Sequence, residues 1–241
     1  MNLREFLLQP QVCLPIIRET ADFASFVATM FSSYLNLIDQ LETPVSIAEK
    51  AKAEKHRLEK FCILAQESIN ASLKGLPFDA YEKLKDALTH IIPFLEKPLL
   101  AELDDRIGNL YRVRLQVSPP FTREQLFHIP FELRHKVATQ RYSVPGLPCL
   151  YLSGSLLTCW AEMGRPAFHK IQASAFWLSP NAKVKVINFT NRPARLARYI
   201  VNDDGTYLYE NEERLLSHIV LWPLLALCSI KVLYKIGRAH V

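Results

Sequence analysis

Glycine is scarce. The 241 residues contain seven, and neither GxGxxG nor GxxxxGK(S/T) occurs. Both phosphate-cradling loops need backbone free of Cβ against the phosphates, so Rossmann and P-loop readings are disfavoured. A serine-hydrolase elbow of the form GxSxG is missing as well, and "SGS" at Ser153 to Ser155 reads only as a turn-like joint. The five cysteines, Cys13, Cys62, Cys149, Cys159 and Cys228, form no CxxC pair. That spacing suggests neither a zinc site nor a disulfide framework, so no metal is expected and a reducing compartment is the default. The opening "MNLREFLLQPQVCLPIIRE" has no basic leader ahead of a clean apolar core, and the longest apolar run, "IVLWPLLALCSI", is too short to cross a bilayer. The expectation is a soluble, cytoplasmic protein with no membrane partner. No repeat or low-complexity tract is visible, and 49% apolar with 22% charged residues is ordinary for a packed globular chain.

What is present is unevenly distributed. Residues 1–106 hold 12 Lys and Arg against 16 Asp and Glu, whereas 107–241 hold 17 against 8. An anionic ligand is therefore expected on the second part, although a solvated basic surface explains the same charge. The first hundred residues read as helices. In "TADFASFVATMFSSYLNLIDQL", Phe23, Phe26, Val27, Met30, Phe31, Tyr34, Leu35, Ile38 and Leu41 recur at three and four, one buried stripe. A second helix is expected from a capping box at Ser46 and Glu49 to Gly75, and a third from a similar pair at Asp79 and Glu82 towards Pro93. Amphipathic helices with short joints predict a bundle. His56 and His90 have no partner at ligand spacing and read as ordinary surface histidines.

After "AELDDRIGN" the texture changes. "LYRVRLQV" alternates, with Tyr111, Val113, Leu115 and Val117 on one face and Arg112, Arg114 and Gln116 on the other, the period of a half-buried strand. "CLYLS", "SAFWLS", "KVKVINF" and "CSIKVLY" are further strand candidates, between helical patches at "SLLTCWAEMG", "PARLARYIV" and "EERLLSHIVLW". The fold class expected is α+β, a helical bundle followed by a mixed α and β domain, with the boundary near residue 106.

The stretch "RYSVPGLPCLYLSGSLLTCWAE", residues 141–162, concentrates the polar candidates. "VPGLP" is a turn by composition, so Arg141 is delivered just before a bend. Tyr151 falls near the end of a strand candidate, and Ser155 can cap a helix that carries Glu162 about two turns in. A guanidinium binds phosphate bidentately, a phenol stacks on a flat ring, and a carboxylate stabilises developing positive charge. Taken singly, each has an ordinary reading: surface arginine, core aromatic, exposed helix residue.

"LYRVR", then "FHIPFELRHKVATQRYSVPGLPCLYLSGSLLTCWAEMGRP", then "VLWPLLALCSIKV" resemble the RES domain family. The likeness covers residues 107–235 and is most specific from Arg141 to Pro166. It implies an ADP-ribosyltransferase-like fold and an NAD-degrading enzyme of a bacterial toxin-antitoxin system, with NAD as substrate, phosphate or water as acceptor, and an Xre-type antitoxin as partner. Residues 1–106 then form a helical extension of the kind some members carry, described as HEPN-like; no RxxxxH ribonuclease motif occurs in it. Position by position, the resemblance puts Arg141 on the NAD phosphates or nicotinamide ribose and Tyr151 against the nicotinamide ring. Glu162 falls at the ribose hydroxyls, and Arg112 is a second anion-binding arginine. His128 and His135 lie in the same block with no role implied. The rival reading is a non-catalytic basic module that binds nucleic acid or a partner protein; sparse interleaving of aromatic and basic residues disfavours nucleic acid.

The family's serine is expected downstream of "WPLLALCSIKV", and Ser229, Ser153 and Ser155 do not take its place. The closing "IGRAHV" is what ATC GGA AGA GCA CAC GTC encodes, a string that resembles adapter sequence read in frame. Residues 236–241 are therefore expected to be artefact, with authentic protein ending near Lys235 and the RES-like domain incomplete at its C-terminus, a truncation that opens a sheet edge and can leave the domain unstable or inactive as given.

Overall fold

The computed structural model describes residues 1–20, 22–95, 97–98, 109–138, 146–177, 185–186, 192–199, 201–204, 206–207 and 212–232. Nine helices are present among them: α1 Leu3–Leu8, α2 Phe23–Asp39, α3 Val45–Ala53, α4 Lys55–Leu73, α5 Pro77–Thr89, α6 Ile92–Leu95, α7 Leu156–Glu162, α8 Pro193–Tyr199 and α9 Glu212–Ser229. The strands among the described residues are β1 Ile17–Arg18, β2 Lys97–Pro98, β3 Leu110–Leu115, β4 Ile171–Phe176, β5 Lys185–Val186 and β6 Lys231–Val232. Helices and strands together make the class α+β. Helical periodicity stops near residue 106, but packing divides the chain elsewhere. One compact unit comprises Met1–Lys97 and Val186–Val241, and the other Pro98–Lys185. The last segment joins the helical unit because α9 buries Leu215, Ile219 and Trp222 in the same core as Phe6, Val27 and Tyr34.

Aromatic residues set that core. Tyr34 of α2 stacks on Trp222 of α9 at 3.9 Å between ring centroids, and Phe6 of α1 tilts against Tyr34 at 5.8 Å. Both polar ring atoms are served by backbone, as burial demands. The Tyr34 hydroxyl donates to the Ile219 carbonyl at 2.7 Å, and Trp222 Nε1 donates to the Val12 carbonyl at 2.8 Å. Burial pushes the Tyr34 phenol well above its ordinary pKa, so the donor persists. β1 runs parallel to β6, pairing Ile17 with Lys231 and Arg18 with Val232. Of the late "CSIKVLY" strand candidate, Lys231 and Val232 are in a strand, while Cys228 and Ser229 belong to α9, which continues through Pro223 to Ser229; Leu233 and Tyr234 lie outside the described residues.

Two expected caps are replaced by other devices. Ser46 does not cap a long second helix. That helix is split at Glu54 into α3 and α4, and Pro44 precedes α3 without a side-chain cap. The Ser46 hydroxyl instead donates to Glu212 at 2.9 Å, joined there by Lys50 Nζ at 2.7 Å and the Tyr207 hydroxyl at 2.7 Å. Long-range pairing outcompetes a local cap because it satisfies the buried Glu212 carboxylate. α5 opens with Pro77 in its first turn, not with an Asp79 cap. Gly75, at φ 74, ends α4 as expected, in a conformation that a Cβ disfavours.

The two buried titratable groups of α9 make stability acid-sensitive. Lys50, then Tyr207 and Ser46, hold the Glu212 carboxyl down at about 2. Its contribution is present above the ordinary 4.5 and is lost as pH falls from there towards 2. Burial lowers His218 from 6.5 to about 4, and its Nε2 meets no partner. Between those values the unfolded chain binds a proton that the folded chain refuses, so stability falls as pH drops from 6.5 towards 4. Melting temperature is expected to fall by roughly 5 °C between pH 7 and pH 5. In His218→Gln that slope should flatten; an equal slope in the variant would contradict the assignment.

Candidate active site

The second unit is built on one antiparallel pair. β3 and β4 run in register from Leu110 opposite Phe176 to Leu115 opposite Ile171, which sets Arg112 opposite Ser174 and Arg114 opposite Gln172. Alternation puts these four polar residues on one face, and Tyr111, Val113 and Leu115 with Ala175, Ala173 and Ile171 on the other. Val113 is buried, as the sequence pattern requires.

The polar face holds a loop. Gln172 grips the Phe121 backbone from both sides, accepting its N–H and donating to its carbonyl, each at 2.8 Å. Arg114 donates to the Gln125 carbonyl at 2.8 Å and lies over the Phe121 ring at 4.3 Å. Arg112 Nη1 donates to the Leu126 carbonyl at 2.8 Å and to that of Phe127. Partial burial, and then the neighbouring Arg114 charge, lower the Arg112 pKa, but its donors are compensated by carbonyls. Sequence alternation identifies these residues as a polar strand face; it carries no signal that their partners are backbone carbonyls a dozen residues away.

The loop ends in an aromatic group. Phe127 tilts against Phe176 at 6.2 Å, and the His128 ring lies 4.7 Å from Phe127 and 5.9 Å from Phe131. His128 Nδ1 is 2.8 Å from the Ile129 carbonyl. That contact requires the proton on Nδ1 and leaves Nε2 as the acceptor in the neutral ring. His135 lies in the following turn, Phe131–Lys136.

The "PGLPCLYLSGS" segment returns to the sheet at one point. Tyr111 and Ser153 form an antiparallel bridge, N–H to carbonyl in both directions at 2.7 and 2.9 Å. The expected strand around Tyr151 is thus a single bridge with an extended approach, and Tyr151 lies half-exposed two residues before it. Gly146 takes φ 80 in the turn that precedes it. After the bridge, Ser155 takes the N-cap position of α7, but its side chain makes no cap bond. The Ser155 N–H donates instead to Ser153 Oγ at 3.3 Å. Cys159 fixes the helix to β3 through the Tyr111 carbonyl at 3.3 Å. Glu162 is the last residue of α7 and is exposed. Trp160 stacks on Phe168 at 5.3 Å and donates to the Pro166 carbonyl at 2.7 Å, which folds the chain back beneath the helix end towards β4.

Of the sequence-derived site residues, Tyr151 and Glu162 therefore flank a bridge and a helix anchored on Tyr111, with Arg112 next to that anchor in the chain. No ion pair joins Arg112 to Glu162. Arg141 lies outside the described residues, as does the closing segment 236–241. Among the described residues no cluster of three His, Cys, Asp or Glu side chains could hold a metal ion, and no helix is long and apolar enough to cross a membrane.

No protein-family model matches the chain, and no solved structure does. A curated protein of Bacillus subtilis (strain 168), named "Putative toxin YopC", is similar to it, at 28% identity over 225 residues. The match takes in 91% of this chain and 50% of that protein, so the chain spans about half the length of the curated relative it matches.

Proposed function

We propose that the chain is a RES-type, NAD-degrading enzyme with a toxin's role. The observation that carries this reading is the Tyr111–Ser153 bridge, which draws the Tyr151 segment and the Glu162 helix to one end of β3. The relative's printed name supports the toxin role, and the resemblance of residues 141–166 to the RES block supports the chemistry.

In this reading Arg141 holds the NAD phosphates or nicotinamide ribose, the Tyr151 ring faces nicotinamide, and the Glu162 carboxylate lies at the ribose hydroxyls. The bond from ribose C1 to the nicotinamide nitrogen breaks, and its electron pair leaves with neutral nicotinamide. Positive charge then develops across C1 and the ring oxygen, where a carboxylate stabilises it more than the ground state. An oxygen of phosphate or water forms the new bond to C1, and water's surplus proton passes to solvent. Arg112 acts at one remove, because its Nη1 already serves the Leu126 and Phe127 carbonyls; it positions the loop that carries His128. An Xre-type antitoxin is the partner this reading implies.

The test in cells is induction of the full-length gene product beside its Glu162→Gln variant, with NAD measured by extraction. Growth arrest with a collapsing NAD pool, absent in the variant, is the expected result. Arrest with an undiminished pool, or equal arrest by both proteins, would overturn the enzyme reading in favour of a binding module.

A further inference from the structure

Arg165 is the one described residue other than glycine with a positive φ, 58°, and it follows Gly164 at φ 80. A Cβ disfavours this left-handed backbone, and Pro166, next in the chain, favours an extended residue before it. The turn is nonetheless held on both sides. Arg165 N–H donates to the Trp160 carbonyl at 3.0 Å and Gly164 N–H to that of Ala161 at 3.1 Å, the two bonds that close α7. Trp160 Nε1 in turn reaches the Pro166 carbonyl, with its ring stacked on Phe168. Of the two left-handed positions, only Gly164 carries the residue type that the geometry favours. Such strain concentrates at functional sites, where a side chain is needed that glycine cannot supply.

The Arg165 side chain supplies nothing to the fold. It is exposed, and among the described residues neither it nor Glu162 forms an ion pair. A Cβ placed on Gly164, between them in the chain, would meet no atom within 4 Å, so the turn lies open. An unpaired carboxylate and an unpaired guanidinium thus belong to one turn at the end of α7.

We propose that Arg165 is a further substrate-binding residue of the Glu162 site, its guanidinium taking the diphosphate of a dinucleotide whose ribose meets Glu162. This rests on the reading of Glu162 as the group at the ribosyl centre. In NAD the nicotinamide ribose joins the diphosphate through its 5′ oxygen, so a carboxylate at the ribose and a cation at the phosphates stand one sugar apart. A guanidinium suits the second place, because it binds phosphate oxygens bidentately and keeps its charge.

Calorimetric titration of the folded full-length gene product with ADP, which carries the diphosphate without nicotinamide, tests this without turnover. The wild type is expected to bind ADP, and Arg165→Gly to bind it at least about 10-fold more weakly, the usual size of a charged hydrogen-bonded contact. The same variant should melt about 2–4 °C higher, because glycine accepts φ 58 without strain. Arg165→Lys, which keeps the charge and loses the fork, should fall between the two in ADP affinity. In NAD turnover, Arg165→Gly should raise KM with a smaller effect on kcat. A wild type that does not bind ADP, or equal affinity in wild type and Arg165→Gly, would overturn the proposal. So would a lower melting temperature in Arg165→Gly, which would assign the residue to the fold. ADP binding that depends on Arg165 in a protein that leaves NAD intact would support the diphosphate site and count against the NAD-degrading reading, so the two fail separately.

Discussion

Glu162→Gln is expected to slow NAD cleavage by about 100-fold or more, the usual cost of removing one electrostatic group that acts on a developing charge. The same change should leave folding intact, within about 0.5 kcal/mol, because the side chain is exposed. The direction of any stability change is informative. Glu162 closes α7, where unpaired carbonyls carry partial negative charge, so a carboxylate there is mildly unfavourable. Neutralising it should raise stability by a few tenths of a kcal/mol, as found for exposed charges at helix ends. A residue that costs stability at its position and whose loss removes turnover is placed for chemistry. Steady-state kinetics and urea melts on the same preparations separate the two effects: loss of activity together with loss of stability would reassign Glu162 to the fold.

The second large effect belongs to the core. Trp222→Ala should destabilise the helical unit by about 3–5 kcal/mol, the range for removing a large buried aromatic. Trp222 is fully buried, stacks on Tyr34 and donates to the Val12 carbonyl. Its removal opens a cavity beside Tyr34 and leaves that carbonyl without its donor. Against a total of about 5–15 kcal/mol for an ordinary domain, such a loss is a large fraction of the whole. Trp222→Phe, which keeps a ring against Tyr34 and loses the donor with part of the indole's volume, should cost less. Equal losses in both variants would mean that the hydrogen bond, not the ring, holds α1, α2 and α9 together. Urea unfolding followed by far-ultraviolet circular dichroism reads the difference.

Local structure was legible wherever a period repeats. The α2 stripe, the alternation of β3 and the Gly75 stop all depend on neighbours within one element, and the sequence pattern contains those neighbours. The α3–α4 break was not legible, since Ser46 and Glu49 have the spacing of a capping box. Only the partner Glu212, 166 residues away from Ser46, shows why the hydroxyl is used elsewhere. The return of α9 to the first unit was hidden for the same reason. Trp222 reads as apolar, but nothing local says that it stacks on Tyr34.

The candidate site divides in the same way. Glu162 lies at the end of the helix its signals predict, whereas the strand expected around Tyr151 is reduced to one bridge at Ser153. Arg112 is recognisable from alternation as a polar residue on a strand, and only the RES resemblance implies an anion there. Its carbonyl partners at Leu126 and Phe127 belong to a loop whose path no periodicity encodes. Gln172 and Arg114, which hold the same loop, have no sequence signal beyond alternation.

The most direct measurement is proton NMR of NAD incubated with the folded full-length gene product, in phosphate and in phosphate-free buffer. Loss of the NAD nicotinamide resonances, with stoichiometric free nicotinamide and an ADP-ribosyl product bearing phosphate or hydroxyl at C1, is the predicted result. NAD that survives unchanged in both buffers, with circular dichroism showing the chain folded, would contradict it.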